Sequence, residues 1–229
     1  MAAQVVRIAD LVFHWGQVPC LDIAVLDLAA GEKVFLHGPS GSGKSTLLNL
    51  LAGVLVPAAG ELDVLGHALP RLSGAARDRL RADHVGIVFQ QFNLIPYLSV
   101  LDNVLLPCRF SKLRHERAGD TKAAAARLLA HLDLEPTLWL RRADALSVGQ
   151  QQRVAAARAL IGHPELVIAD EPTSALDAER QAAFLELLIR ECSEAGSALL
   201  FVSHDRRLAG RFDRVLALPD INRAGDRPS

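Results

Sequence analysis

The stretch "KVFLHGPSGSGKST", Lys33–Thr46, decides the fold of this chain. Its first residues form a short apolar run that ends in glycine, which predicts a buried strand, and "KSTLLNLLAG" after it predicts a helix closed by Gly53. The loop between them fits the pattern G-x-x-x-x-G-K-[ST], whose glycines turn backbone N–H groups toward an anion at the positive end of the helix. The pattern in this context predicts a phosphate-binding loop. Its predicted nucleotide contacts are Gly38, Pro39, Ser40, Gly41, Ser42, Gly43, Lys44, Ser45 and Thr46.

Side chains in and beyond this loop predict a magnesium–phosphate centre. Lys44 can reach the β and γ phosphates, and the Ser45 hydroxyl can ligate Mg²⁺. In "LVIADEPTSALD", four apolar residues carry Asp170 to the end of a buried strand, which we expect to lie beside the strand that feeds the loop. A carboxylate there can hold Mg²⁺ through water. Glu171 follows at once, where it can polarise or deprotonate an attacking water.

Two further strands end in polar side chains. "VGIVFQ" ends in Gln90, and "FVSHD" places His204 at the end of another strand. Ligands bind open α/β sheets at the carboxyl ends of their strands. We therefore expect Gln90 to contact Mg²⁺ or the attacking water, and His204 to act at the same site. The alternative for His204 is a purely structural histidine.

Composition excludes several classes of protein. Lys plus Arg number 25 against 26 Asp plus Glu, a net charge of −1, whereas nucleic-acid-binding domains carry a basic excess. The cysteines Cys20, Cys108 and Cys192 form no C-x-x-C pair and suggest buried thiols in a reducing compartment. The longest apolar stretch is interrupted by Asn49 and Pro57, and the start "MAAQVVRIAD" leads us to expect no secretory signal. We expect a cytoplasmic protein whose membrane role, if it has one, comes through another chain.

Strand–helix alternation on both sides of a helical middle predicts one α/β domain over residues 1–229. The sheet should be mostly parallel. A helical subdomain over residues 91–150 is predicted as an insertion in the α/β core. The tail "NRAGDRPS", residues 222–229, is expected to fray.

Taken together, these segments resemble the ATP-binding-cassette (ABC) transporter ATPases over about residues 5–218. The resemblance implies an α/β fold with a P-loop NTPase core, a mostly parallel sheet, an antiparallel β subdomain and the helical insertion. It also implies that Trp15 stacks on adenine, with Phe13 as a second candidate. The matching motifs are Walker A (Gly38–Ser45), the Q-loop (Gln90), the signature (Leu146–Gln150), Walker B (Leu166–Asp170), the catalytic glutamate (Glu171), the D-loop (Ser174–Asp177) and the switch histidine (His204).

The signature "LSVGQ" implies a partner. In the family, two cassettes associate head to tail, and the signature contacts the γ-phosphate bound by the opposite subunit. Ser147, Gly149 and Gln150 would make this contact, although the same residues could form a simple helix N-cap. Val148 departs from the family, which has glycine there; a β-branched residue excludes positive φ and adds bulk near a phosphate. If the position needs only an ordinary φ, valine is tolerable; if not, hydrolysis is slowed.

The resemblance implies ATP hydrolysis with Mg²⁺. Lys44 and the metal would neutralise the phosphates, Glu171 would activate water, and Gln90 and His204 would order it. Implied partners are a second ATPase subunit and a membrane permease, which would hold the protein on the cytoplasmic face of the inner membrane.

The segment after Gln90 is the predicted permease contact. Its apolar residues are expected in an exposed loop, unless they pack the helical subdomain: Phe92, Leu94, Ile95, Tyr97 and Leu98. Its sequence, "FNLIPYLSVLDNVLLP", resembles that of the macrolide-export and lipoprotein-release subgroup. Alternatives are an amino-acid importer, or a regulatory clamp on a membrane protein that moves no cargo.

Overall fold

The computed structural model describes residues 3–226, and the end of the tail, residues 227–229, lies outside them. The strands are β1 (Gln4–Trp15), β2 (Val18–Ala29), β3 (Lys33–His37), β4 (Ala59–Val64), β5 (His67–Ala68), β6 (Val85–Val88), β7 (Leu166–Asp170), β8 (Ala198–Val202) and β9 (Arg214–Ala217). The α-helices are α1 (Lys44–Leu51), α2 (Gly74–His84), α3 (Val100–Phe110), α4 (Lys112–Ala118), α5 (Thr121–His131), α6 (Val148–Leu160), α7 (Ala178–Ala195) and α8 (Leu218–Ile221).

The strands form two sheets, and this arrangement confirms the predicted fold class. A parallel sheet has the order β6-β7-β8-β3-β9, and an antiparallel sheet has the order β2-β1-β4-β5. The expectation that the strand of Asp170 lies beside β3 is wrong, because β8 pairs with both strands and separates them. Apolar runs identify strands, but the crossover connections set their order.

The antiparallel sheet contains two strands that the sequence patterns do not predict, β1 and the two-residue β5. β1 pairs with β2 and with β4, and its register shifts near Ala9–Val12 and at Phe13/His14. Asp10, with φ 47°, lies in the first irregularity. Such interruptions break the regular alternation by which strands are recognised. The inner face of this sheet packs on the parallel sheet through Leu21, Ile23 and their neighbours.

Helices α3, α4 and α5 follow one another between β6 and β7. Ser99 caps the start of α3, since its Oγ accepts a hydrogen bond from the Asp102 N–H at 3.0 Å. Helices α3, α5, α6 and α7 share one apolar core with the parallel sheet. No helix within residues 3–226 combines the length and hydropathy that crossing a bilayer requires.

The expected fraying of the tail is wrong at its start. Asn222 Oδ1 accepts from the Asp22 N–H at 2.8 Å, and Asn222 Nδ2 donates to Cys20 O at 3.0 Å. Arg223 lies 3.0 Å from the buried Asp22 carboxylate. A buried carboxylate requires such a partner, which composition alone does not reveal.

Candidate nucleotide site

A cavity of about 580 Å³ opens at the carboxyl ends of the parallel strands. Five separate parts of the chain meet there: the hairpin of strands β1 and β2, the phosphate loop, the segment after β6, the end of β7 with the residues that follow it, and the segment after β8. Its lining is Trp15, Cys20, Gly38, Pro39, Ser40, Gly41, Gly43, Lys44, Ser45, Thr46, Gln90, Asp170, Glu171, Ser174 and His204. Of the predicted loop residues, Ser42 alone is missing from this lining. The signature residues Ser147, Gly149 and Gln150 line a different cavity.

The phosphate loop needs glycine because of its own backbone. Gly43 has φ 100°, and a Cβ added there would lie 2.8 Å from Leu21 Cδ2. The Lys44 ammonium donates to Gly38 O at 2.8 Å and to Pro39 O at 2.9 Å, so it lies across the mouth of the loop. In that position two carbonyl oxygens stand in for the phosphate oxygens that a nucleotide would bring.

The predicted metal ligands come together in this cavity. Ser45 Oγ lies 3.5 Å from Asp170 Oδ2. Burial, and then the charge of Glu171, raise the pKa of Asp170 above its ordinary value, and Ser45 and Lys44 act in the opposite direction. Gln90 lies two residues beyond the end of β6 rather than at its last residue. A hydroxyl, a carboxylate and an amide oxygen are hard ligands that suit Mg²⁺, and a cation would remove the unfavourable burial of the carboxylate charge.

Two of the predicted catalytic residues beyond the loop, Glu171 and His204, form a pair. His204 Nδ1 lies 2.9 Å from Glu171 Oε2. Glu171 has φ 46°, an uncommon conformation for a residue with a side chain, and its N–H donates to Val202 O at 2.9 Å. The backbone bond to β8 therefore fixes the start of the loop that carries the carboxylate. The His204 side chain is largely exposed at the cavity, unlike that of a structural core histidine.

The aromatic residue at the cavity is Trp15. The residue is 55% exposed, and its Nε1–H donates to Thr46 Oγ1 at 3.4 Å. The second candidate, Phe13, is buried and contacts the Trp15 ring edge to face at 5.2 Å. Cys20 also lines the cavity and is only half-buried, so the expectation of three buried thiols is wrong for it. No local sequence signal marks Cys20, because its place depends on how β2 passes the loop.

The signature residues begin α6, beside a second cavity of about 490 Å³. Ser147 Oγ accepts from the Gln150 N–H at 3.4 Å, and Gln150 Oε1 accepts from the Ser147 N–H at 2.9 Å. This reciprocal pair is a capping box. Val148 is the first helical residue, so valine meets no demand for positive φ. That the segment contacts the nucleotide of a second copy stays a prediction.

The five apolar residues after Gln90 are not uniformly exposed, as the prediction of an exposed loop would require. Phe92 is only 7% exposed and belongs to the core, whereas Tyr97 is 68% exposed. The other three are half-buried. The prominent apolar surface nearby is a groove of about 430 Å³ between β6 and α3, which the sequence reading did not identify. Its apolar lining includes Val85, Ile87, Phe89, Leu106, Pro107 and Phe110.

Comparison with known proteins agrees with this geometry. The ABC transporter family model matches residues 21–174. YbbA of Escherichia coli K12, an uncharacterised ABC transporter ATP-binding protein, is 46% identical over 82% of this chain and 81% of its own length. The lipoprotein-releasing system ATP-binding protein LolD of Hydrogenovibrio crunogenus is 41% identical over 85% and 83%.

A solved structure of similar shape is that of the cassette MJ0796 in a dimeric post-hydrolysis state bound to ADP and Pi. The MJ0796 protein comes from Methanocaldococcus jannaschii. This structure has a TM-score of 0.81 and 34% identity to the chain, and the match covers 93% of both chains. The chain therefore belongs to the ABC transporter ATP-binding proteins, and it is an ATPase that takes ATP with Mg²⁺.

Proposed function

We propose that this ATPase drives a separate membrane permease by closing, head to tail, with a second copy of itself. Each nucleotide would lie between the phosphate loop of one copy and Ser147 and Gly149 of the other. The observation that carries the proposal is the separation of the two half-sites: the loop and the signature residues line different cavities of one chain. One copy thus offers the free N–H end of α6 to an anion that its own loop does not hold.

The residues of the nucleotide cavity have distinct tasks in this proposal. Lys44 leaves the two loop carbonyls and binds the β and γ phosphates, while the Trp15 ring takes the base. Ser45, Asp170 and Gln90 hold Mg²⁺, which supplies positive charge to the phosphates when it is bound. Because hydrolysis is largely a matter of positioning and charge, these contacts carry most of the rate enhancement.

Glu171 and His204 act on the attacking water. The Glu171 carboxylate takes or polarises its proton, and His204, 2.9 Å away, orients the carboxylate. Hydrolysis removes the phosphate that joins the copies, and the dimer reopens.

The groove beside α3 is the proposed permease contact, next to the segment after Gln90, of whose five apolar residues Phe92 is buried and Tyr97 is exposed. Phe89 precedes Gln90 directly, and both Phe89 and Phe110 expose apolar surface there. An apolar segment of a permease fits such a groove. We take the helical segment 91–150 to be the inserted subdomain that carries one wall. Such docking would place the protein on the cytoplasmic face of the inner membrane.

The similarity to LolD favours envelope lipoprotein work, and macrolide-type export belongs to the subgroup that the segment after Gln90 resembles. A regulatory clamp or an amino-acid importer remains an outcome of the test. The test is co-purification of this chain with a membrane permease from its own host, followed by ATPase and cargo-transport measurements in vesicles. Stimulation by permease supports the proposal, and association without cargo movement would assign the regulatory role instead.

A matched pair of variants locates the contact. Phe110→Asp should abolish stimulation by the permease, measured relative to its own rate without permease. Leu140→Asp is the control, since Leu140 is equally apolar and exposed but lies outside the groove. Equal stimulation of both variants would show that the permease docks elsewhere.

A further inference from the structure

A buried glutamine on α6 has no hydrogen-bond partner. Gln152 is only 1% exposed, and neither its Nε2 nor its Oε1 has a partner among the described residues. Asn103, a buried amide of the same chain, accepts from the Ile95 N–H at 2.8 Å and donates to Ile95 O and Ser99 O. Buried amides are normally bonded in this way, because an unpaired one destabilises the fold. Gln152 therefore calls for a partner that this conformation does not supply.

Gln152 lies beside the loop that follows Glu171. It shares the cavity of about 490 Å³ with the signature residues and with Ala175 and Leu176. The segment 172–177, here called the carboxylate loop, connects Glu171 to α7. One side of the cavity is thus the signature helix, and the other is the loop that begins at the proposed general base.

A second buried glutamine holds part of the carboxylate loop. Gln181 Nε2 donates to Thr173 O and to Leu176 O, both at 3.1 Å. Ala175 lies between these two anchors and is exposed, and its peptide groups form no backbone hydrogen bond within residues 3–226. The loop therefore presents the free N–H and the free C=O of Ala175 on the cavity that Gln152 also lines.

We propose that Gln152 is a positioning residue for Glu171 and acts through the carboxylate loop. When a second copy closes over the start of α6, the loop moves toward α6 and the Ala175 peptide pairs with the Gln152 amide. The loop directly follows Glu171, whose N–H is already bound to Val202 O, so this pairing would restrain the Glu171 backbone from its C-terminal side as well. The inference rests on the proposed head-to-tail dimer.

The test compares Gln152→Met with wild type and with Asn103→Leu. Both substitutions replace a buried amide by an apolar side chain of similar size. We expect Gln152→Met to keep or raise the midpoint of thermal unfolding, to keep the Kd for ATP within about twofold, and to lower kcat at least about tenfold. Asn103→Leu should lower the unfolding midpoint, because its amide has partners in the resting chain.

A second measurement follows the peptide itself. Hydrogen exchange of residues 172–177 is measured with ATP in the Glu171→Gln background, with and without Gln152→Met. We expect ATP to protect the Ala175 N–H only where Gln152 is present. Normal kcat and unchanged protection in Gln152→Met would overturn the inference, and so would a loss of stability like that of Asn103→Leu. Failure of wild type to dimerise with ATP would instead overturn the proposed function.

Discussion

The phosphate loop and the signature are both glycine-containing segments at the start of a helix, but the chain places different demands on their glycines. Gly43 takes φ 100°, and a Cβ there would lie 2.8 Å from Leu21 Cδ2. Gly149 lies in the first turn of α6, and a Cβ there would have an ordinary contact of 3.7 Å with Leu176 Cδ2. The fold of the chain itself requires the first glycine and does not require the second.

The same difference extends to the surrounding side chains. In the nucleotide cavity Lys44, Ser45 and Glu171 each have a polar neighbour within the chain. At the signature, the capping box satisfies Ser147 and Gln150, and the end of α6 still faces outward over a separate cavity. The phosphate loop is thus shaped by its own chain, whereas the proposed task of the signature is to contact a group that comes from a second copy.

The largest expected effect is that of Glu171→Gln, which should stop ATP hydrolysis without preventing ATP-dependent dimerisation. Glu171→Gln removes the proposed base but keeps the size of the side chain, so hydrolysis should fall by about 10²–10⁴. ATP binding should remain, and the ATP-bound dimer should accumulate. Phosphate release and sedimentation measure both, with Glu179→Gln on the exposed start of α7 as the control. Normal hydrolysis by Glu171→Gln would remove the carboxylate from this role.

The next effect tests the two glycines directly. Gly43→Ala should weaken the binding of ATP to the monomer. It should also lower the stability of the folded chain by about 1–3 kcal/mol, because alanine is strained at positive φ. Gly149→Ala should leave folding and ATP binding intact, since alanine favours helices, yet lower hydrolysis about tenfold. ATP-binding titrations, thermal unfolding and steady-state hydrolysis rates of both variants measure these effects. If Gly149→Ala also lost ATP binding by the monomer, the contrast between the two regions would not hold.

A smaller effect concerns Asp170. Its raised pKa means that the folded chain holds the proton more tightly than the unfolded chain does. The carboxyl group therefore favours folding at low pH and loses this contribution as the pH rises through the raised pKa. Without Mg²⁺, the unfolding midpoint of Asp170→Asn at pH 7 should lie a few degrees above that of wild type. In a chain of this size, each kcal/mol of stability shifts the midpoint by about 2–4 °C.

The difference in unfolding midpoint between Asp170→Asn and wild type should become smaller as the pH falls toward 4, because the Asp170 carboxyl group is then protonated. Mg²⁺ should make it smaller at pH 7, because the cation compensates the carboxylate charge. Thermal unfolding at several pH values, with and without Mg²⁺, measures both. A difference independent of pH would show that the Asp170 charge is not the cause.

The smallest effect concerns Val148. The residue is helical and half-exposed, so Val148→Gly should cost at most about 1 kcal/mol of helix stability. Hydrolysis should stay unchanged or rise, as steady-state rates would show. A large loss would mean that valine is adapted to this signature rather than tolerated by it.

The sequence was sufficient wherever a local pattern carries the chemistry. The phosphate loop, Asp170 and His204 could be predicted because each follows a short, continuous apolar strand. Strand order, the burial of Phe92 and the position of Cys20 could not, because they depend on contacts between distant segments. The bonds of Asn222 to β2 belong to the same class, since they join residues some 200 positions apart.

The most direct test of the central claim mixes two inactive variants. Lys44→Ala lacks the loop cation, and Ser147→Arg blocks the start of α6 with a bulky side chain. If each reaction centre is built from two copies, a mixed pair contains one intact centre: the loop of the Ser147→Arg chain and the signature of the Lys44→Ala chain. ATP hydrolysis should therefore reappear on mixing and rise with protein concentration. If the mixture stays as inactive as its components while both variants bind one another, the centre lies within a single chain and the account is contradicted.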